Sequence, residues 1–348
     1  MVLFAFSSPA SHAADAAPER AGKTERRTVV APLVVSNPSF GNGGGVSALY
    51  FYRPDDAGDG PPSFVGLTGA YSDTDSYFLG LGVQSFRRDD AFRLSYGGAY
   101  GHIENELDVD GLSEVRFQTE VAAASLRTQW RVRGNLFLGV KASVVDVQYT
   151  PGNEASRAYF QQFGVEDSFA GSTGTVATYD SRDNTRYPHS GSLSEVSLTT
   201  HPQWLGGDDS YYVASAETNR FLPVGDRKVL ALRGYWRFTP GGTPFSGLST
   251  LGRRSDLRGY TSGEHVARSL LSTQAEYRWM LNDRWGLVGF FGVARLYDGG
   301  IDEGENFSSG GVGVRLRLHQ ANRVNLRVDF AWGEDDEDGF YVSLREAF

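Results

Sequence analysis

The chain has 348 residues, 43 glycines, no cysteine and a formal net charge of −9. Without cysteine there is no disulfide framework and no thiolate for a metal site or a nucleophile, and an acidic chain lacking any Lys/Arg cluster argues against nucleic-acid binding. No run approaches the roughly 18 apolar residues of a membrane-spanning helix; a barrel is not excluded, because each of its strands needs only one apolar face.

Taken in chain order, Val2-Leu3-Phe4-Ala5-Phe6 followed by Ser7-Ser8-Pro9-Ala10-Ser11-His12-Ala13 reads as a truncated signal peptide cleaved after Ala13. Residues 14–27 then form a short periplasmic segment, and 28–348 form one all-β unit. Abundant Gly, 17 Tyr and 22 Phe beside 2 Met favour strands and turns over helices. Strand-like segments lie near 28–36, 44–53, 63–72, 76–86, 91–103, 115–131, 135–149, 172–183, 192–201, 210–222, 228–239, 266–280, 285–297, 308–319, 323–333 and 338–348. That makes about sixteen antiparallel strands, and an even number places both ends of the barrel sequence on one side of the membrane.

The alternation is clearest near the C-terminus. Val324, Leu326, Val328, Phe330 and Trp332 alternate with Asn325, Arg327 and Asp329, and Val312, Val314, Leu316 and Leu318 alternate with Arg315, Arg317 and His319. In a membrane barrel the apolar set meets lipid and the polar set lines the lumen; in a soluble sandwich the faces exchange roles, and periodicity does not separate the two. Connection lengths do. Residues 281–284 and 319–322 are short, 298–307 is long, 240–264 is longest, and Pro151-Gly152-Asn153 opens another long loop to Ser172. Short turns on one side and long loops on the other are the pattern of the bacterial outer membrane. Residues 54–62 break it, being long on the short-turn side, and raise the expectation of an error in the early strand count.

Some residues carry more than architecture. The first strand contains Pro32, which cannot donate to a ladder; either the seam between first and last strands is weakened there, or the missing donor points where no partner stands. The last strand ends on Phe348, an aromatic terminus of the kind that serves as an insertion signal, although Glu346 stands two positions earlier where an apolar residue is usual. Asp180, Arg182, Asp183, Asn184, Pro188 and Gly191 make a turn in which Asp and Asn bond their own backbone, Pro fixes φ and Gly accepts positive φ. Leu257-Arg258-Gly259-Tyr260, inside the longest loop, is basic where a water-facing loop has no need of it, and its Arg asks for a buried carboxylate. Asp108 and Asp110 beside Gly111 lack the remaining spacing of a calcium loop. The acidic run 334–338 reads as a solvated loop tip, with divalent-ion binding at the lipopolysaccharide surface as its alternative.

With these two motifs in this order and five strands after the loop, the chain resembles the BamA/TamA family of outer-membrane assembly proteins, the bacterial surface antigen family. Leu257-Arg258-Gly259-Tyr260 matches the family's VRGF/Y loop tip, and 180–191 matches its D-x-R-D-N…P…G segment. The resemblance implies a sixteen-stranded barrel whose loop folds into the lumen, with Arg258 ion-paired to Glu276. It also implies a second acid after paired aromatics on the next strand; here Gly292 follows Phe290-Phe291, so a thinner network is expected. About thirty residues precede the first strand, too few for a periplasmic domain, so the sequence reads as a barrel-only member.

The implied partners are outer-membrane lipid, lipopolysaccharide, and client outer-membrane proteins or a periplasmic partner. The first functional reading is an outer-membrane assembly or insertion factor acting through the seam; alternatives are a pore gated by loop 240–264 and a structural surface antigen. No H-E-x-x-H, G-x-S-x-G or phosphate-loop pattern occurs, so no enzyme, cofactor or metal is expected.

Overall fold

A computed structural model of the chain describes residues 27–37, 40–107, 114–252, 256–260, 263–334, 337–344 and 346–348. The signal-peptide segment, the possible calcium loop at 108–111 and the centre of the acidic run at 335–336 lie outside them. Among the described residues the chain forms β1 (Thr28–Asn37), β2 (Gly41–Tyr52), β3 (Ser63–Ser72), β4 (Tyr77–Arg87), β5 (Phe92–Leu107), β6 (Val115–Arg133), β7 (Leu136–Pro151), α1 (Glu154–Phe163), β8 (Ser168–Asp180), β9 (Gly191–His201), β10 (Tyr211–Gly225) and β11 (Lys228–Phe238). A small hairpin, β12 (Ser249–Thr250) with β13 (Val266–Ala267), interrupts the series inside the longest loop. Then follow β14 (Ser269–Met280), β15 (Trp285–Tyr297), β16 (Glu305–His319), β17 (Val324–Trp332) and β18 (Asp338–Ser343). All but the small hairpin close into one antiparallel barrel of sixteen strands in chain order.

Alternation decides the faces as read from the sequence. On β14 the side chains of Gln274, Glu276 and Arg278 are buried inside, while Tyr277 and Trp279 stand exposed outside. On β17 Asn325, Arg327 and Asp329 are buried inside. Leu287, Phe291, Val293, Val312 and Trp332 are exposed on the outer wall, which suits a lipid-facing belt. Among the described residues no helix is long and apolar enough to cross a membrane.

Four expectations change. The early strand count stands: the connection 53–62 lies on the same rim as 281–284 and is simply long. It is held by Arg186, whose guanidinium donates to the Pro62 carbonyl at 3.1 Å and lies 4.7 Å from the Phe51 ring centre. The loop after Pro151 is not irregular throughout, because Asn153 caps α1. Its side chain accepts from Ser156 N at 2.8 Å and its own N–H donates to Ser156 Oγ at 3.1 Å, satisfying donors that a helix start leaves open. β8 therefore begins at Ser168 rather than 172.

The last two changes concern the seam. β18 ends at Ser343 instead of running to 348, although the sequence keeps alternating. Leu344 turns inward against Val29, Ala31, Phe51 and Val324, and Phe348 packs on Phe221, Val229 and Ala231. Phe348 thus fills lumen rather than forming the wall. Pro32 is not in the closing ladder either; its register partner is Val46 on β2. The closing register consists of Val35 opposite Tyr341 and Ser36 opposite Phe340, whereas the next shortest pairing, β17 with β18, extends from Arg327–Ser343 to Trp332–Asp338.

Candidate functional site

The connection between β11 and β14 enters the lumen instead of covering the rim. Its anchor is apolar: Leu251, Leu257 and Tyr260 pack with Tyr235, Leu270, Ala294, Leu296 and Phe307 from the barrel wall. A Cβ at Gly292 would lie 2.8 Å from Leu257 Cδ1. The residue that replaces the expected acid therefore makes room for the loop. Asp256 accepts from Arg233 at 3.2 Å, and its carbonyl accepts from Gln274 at 2.6 Å.

Arg258 lies beyond this anchor, with its side chain 1% exposed. Nη2 donates to Glu276 Oε2 at 3.0 Å and Nη1 to Asp329 Oδ2 at 2.6 Å, while the guanidinium lies 3.4 Å from the Phe290 ring centre. Arg258 with Glu276 is as expected; the thinner network is not. The second acid comes from β17, and Gly313 opens the space for it, since a Cβ there would meet Asp329 Oδ1 at 2.1 Å. Asp329 also accepts from Arg315 at 2.5 Å, Glu276 from Arg278 at 2.9 Å, and Glu346 from Arg315 at 2.7 Å. Glu346, unusual as part of a wall strand, is a lumen ligand of Arg315. Arg278 further donates to the main-chain oxygen of Phe348 at 2.9 Å. Charges removed from water survive only when paired in this way.

The two residues after Arg258 fasten the tip to the last strands. Gly259 has φ +105 and a Cβ there would lie 2.9 Å from Gly333 N, so both conformation and space require glycine. Its N–H donates to Tyr341 Oη at 2.9 Å, and Tyr260 Oη donates to Ser308 O at 2.6 Å and accepts from Glu334 N at 3.1 Å.

The second motif enters the lumen from the opposite rim. Asp180 accepts from Arg182 at 3.0 and 3.1 Å and from Arg93 at 3.4 Å. Asn184 Oδ1 accepts from Arg186 N and Tyr187 N at 2.9 and 3.0 Å, the side-chain turn expected of it. Pro188 is buried, and Gly191, at φ +93, would place a Cβ 2.2 Å from Ser181 O. The segment is more than a hairpin turn: Tyr187 is buried near Arg278 and Arg317, at 5.9 and 5.1 Å from its ring. The lumen is thereby occupied from both rims.

Asp183 ties this turn to the barrel. Its carboxylate accepts from Arg323 at 2.6 Å and from the His189 and Ser190 amides at 2.8 and 3.0 Å. Burial alone would raise its pKa, but Arg323 and the amides outweigh burial and hold it below 3.8. A lowered carboxyl contributes stability that is complete above its unfolded value and is lost as pH falls through the folded one. Burial, with Arg323 beside it, also holds His189 below its ordinary value, so relative hydrogen-exchange protection of the 181–190 amides should fall in two steps on acidification, first below about pH 6.5 and again below about pH 4. The Asp183→Asn variant should show a smaller loss in the second step.

A model of the Omp85 superfamily domain matches residues 60–348. Among solved structures, BamA from Haemophilus ducreyi lacking POTRA domains 1–3 is similar at TM-score 0.53 and 17% identity, over 92% of this chain and 69% of that one. CdiB from Escherichia coli is similar at TM-score 0.65 and 12% identity, over 92% and 63%, and CdiB from Acinetobacter baumannii at 0.58 and 10%, over 92% and 60%. The chain thus spans less than two thirds of either CdiB chain. No curated protein matches it by sequence. Sixteen strands, the inward loop with its Arg258 tip and the family match over most of the chain lead to one conclusion: this protein belongs to the Omp85 superfamily as a BamA/TamA-type β-barrel of the bacterial outer membrane.

Proposed function

We propose that this barrel acts on client outer-membrane proteins at the seam between β1 and β18, assisting their assembly or insertion. The observation that supports this reading is the shortness of the seam. Two register pairs close it, and the β1 edge from Thr28 to Val34 lies beyond them, below the point where the chain after Ser343 turns inward. A row of backbone donors and acceptors without a ladder partner is a template for an incoming strand. The occupied lumen weighs against a standing aqueous pore.

Locking the seam tests the proposal. Antiparallel register pairs bring Cα atoms to roughly 4.5–5.5 Å, within disulfide range, and the chain has no native cysteine to interfere. Ser36→Cys combined with Phe340→Cys should lower the amounts of folded outer-membrane proteins in cells that depend on this barrel, with recovery on adding reductant. Unchanged client levels with the lock fully oxidised would refute the proposal.

A further inference from the structure

At the loop rim, Glu264 and His265 of the lumen loop face Glu337 of the β17–β18 connection. One donor atom from each lies within 4.8 Å of the other two, and all three residues are half-buried. His265 Nε2 stands 2.9 Å from Glu337 Oε1. Its ring is held in place by Phe307, with centroids 4.6 Å apart, and by Tyr260 edge-on at 5.7 Å. Glu264 and His265 are neighbours in sequence, but Glu337 lies 72 positions beyond His265 and meets them only because the loop folds inward.

We propose that Glu264, His265 and Glu337 form a binding site for a divalent transition metal of the zinc class, joining the lumen loop to the last hairpin. An imidazole with two carboxylates suits zinc and its neighbours, whereas magnesium and calcium take oxygen ligands. Three protein ligands leave a fourth position for water, as in open zinc sites. Ligand atoms about 2.1 Å from a tetrahedral ion lie roughly 3.4 Å apart, so a modest rotation of the glutamate side chains closes the set. The hydrogen between His265 and Glu337 marks where the ion would enter: a proton leaves and the metal takes its place. Such an ion would fasten the loop beside β18, on the strand that closes the seam. This proposal is independent of the client-handling reading, since it concerns loop attachment only.

Calorimetric titration of zinc chloride into the full chain, folded in detergent micelles, tests it. One ion per chain is expected, with affinity at least tenfold weaker in His265→Ala and in Glu337→Gln. Cobalt chloride should give a visible ligand-field band in the native chain that is lost in His265→Ala, and excess calcium should displace neither ion. No zinc binding, binding unchanged in both variants, or displacement by calcium would each overturn the proposal. If His265→Ala does not fold, judged by heat-modifiable electrophoretic mobility, Glu337→Gln and Glu264→Gln carry the test, because they remove charge at constant volume.

Discussion

Replacing Arg258 by Ala is expected to destabilise the barrel by about 3 kcal/mol and to release the loop from the lumen. Removing one partner of a buried ion pair costs about 3–5 kcal/mol because the other charge stays buried. Here the cost falls toward the lower end: Glu276 keeps Arg278, and Asp329 keeps Arg315. The contact with the Phe290 ring is lost as well. Arg258→Lys should recover only part of the loss, since an ammonium is a point donor and cannot fork between Asp329 and Glu276 as the guanidinium does. The shift of the urea midpoint, read by heat-modifiable electrophoretic mobility, measures the stability change. Planar-bilayer recording measures the release: the native chain should be nearly silent and Arg258→Ala should conduct. A variant as stable and as silent as the native chain would show that the loop is held by its apolar anchor alone.

Asp180→Ala is expected to have a comparable effect at the opposite rim, about 3 kcal/mol by the same reasoning, but concentrated in the turn that follows it. The substitution removes the two bonds from the Arg182 guanidinium, the one from its amide and the longer one from Arg93. Arg93 keeps two 2.8 Å bonds to Asp90 and its place 3.6 Å from the Phe137 ring centre, so the wall beneath should hold. Arg182 is 5% exposed and loses its carboxylate, so residues 181–190 should leave the lumen. Limited proteolysis should show new cleavage within 181–190 while the barrel keeps its heat-modifiable mobility. Collapse of the whole barrel would instead mean that Asp180 holds the strands, not the turn.

The two effects are separable because the two insertions rest on different elements. The loop tip is fastened to β14, β16, β17 and β18 through Arg258, Gly259 and Tyr260. The turn is fastened to β5 through Arg93 and to the β16–β17 turn through Arg323. The two insertions meet at Arg278, which pairs with Glu276 and lies 5.9 Å from the Tyr187 ring, so the double variant should depart from the sum of the single effects by the coupling through that residue.

What the sequence determined alone is the wall. A period of two is imposed by strand geometry itself, so alternation such as Asn325, Arg327 and Asp329 between apolar neighbours could be assigned to lumen and lipid once loop lengths had singled out a membrane barrel. Local turn chemistry was legible for the same reason: Asn184 and Gly191 act on their own backbone. Arg258 and Glu276 were legible through the motif, because a short segment carries the chemistry. Tertiary structure decided everything that depends on distance across the lumen. Asp329 is 71 positions from Arg258, and nothing in alternation distinguishes it from any other inward acid. The inward turn after Ser343 leaves no local mark, since Leu344, Glu346 and Phe348 continue a pattern that would equally suit a strand; burial among Val29, Ala31 and Phe221 is what draws them in. The meeting of Glu264 and His265 with Glu337 has the same origin: alternation along a strand reports which way a residue faces, and only closure of the barrel around the loop decides what it meets.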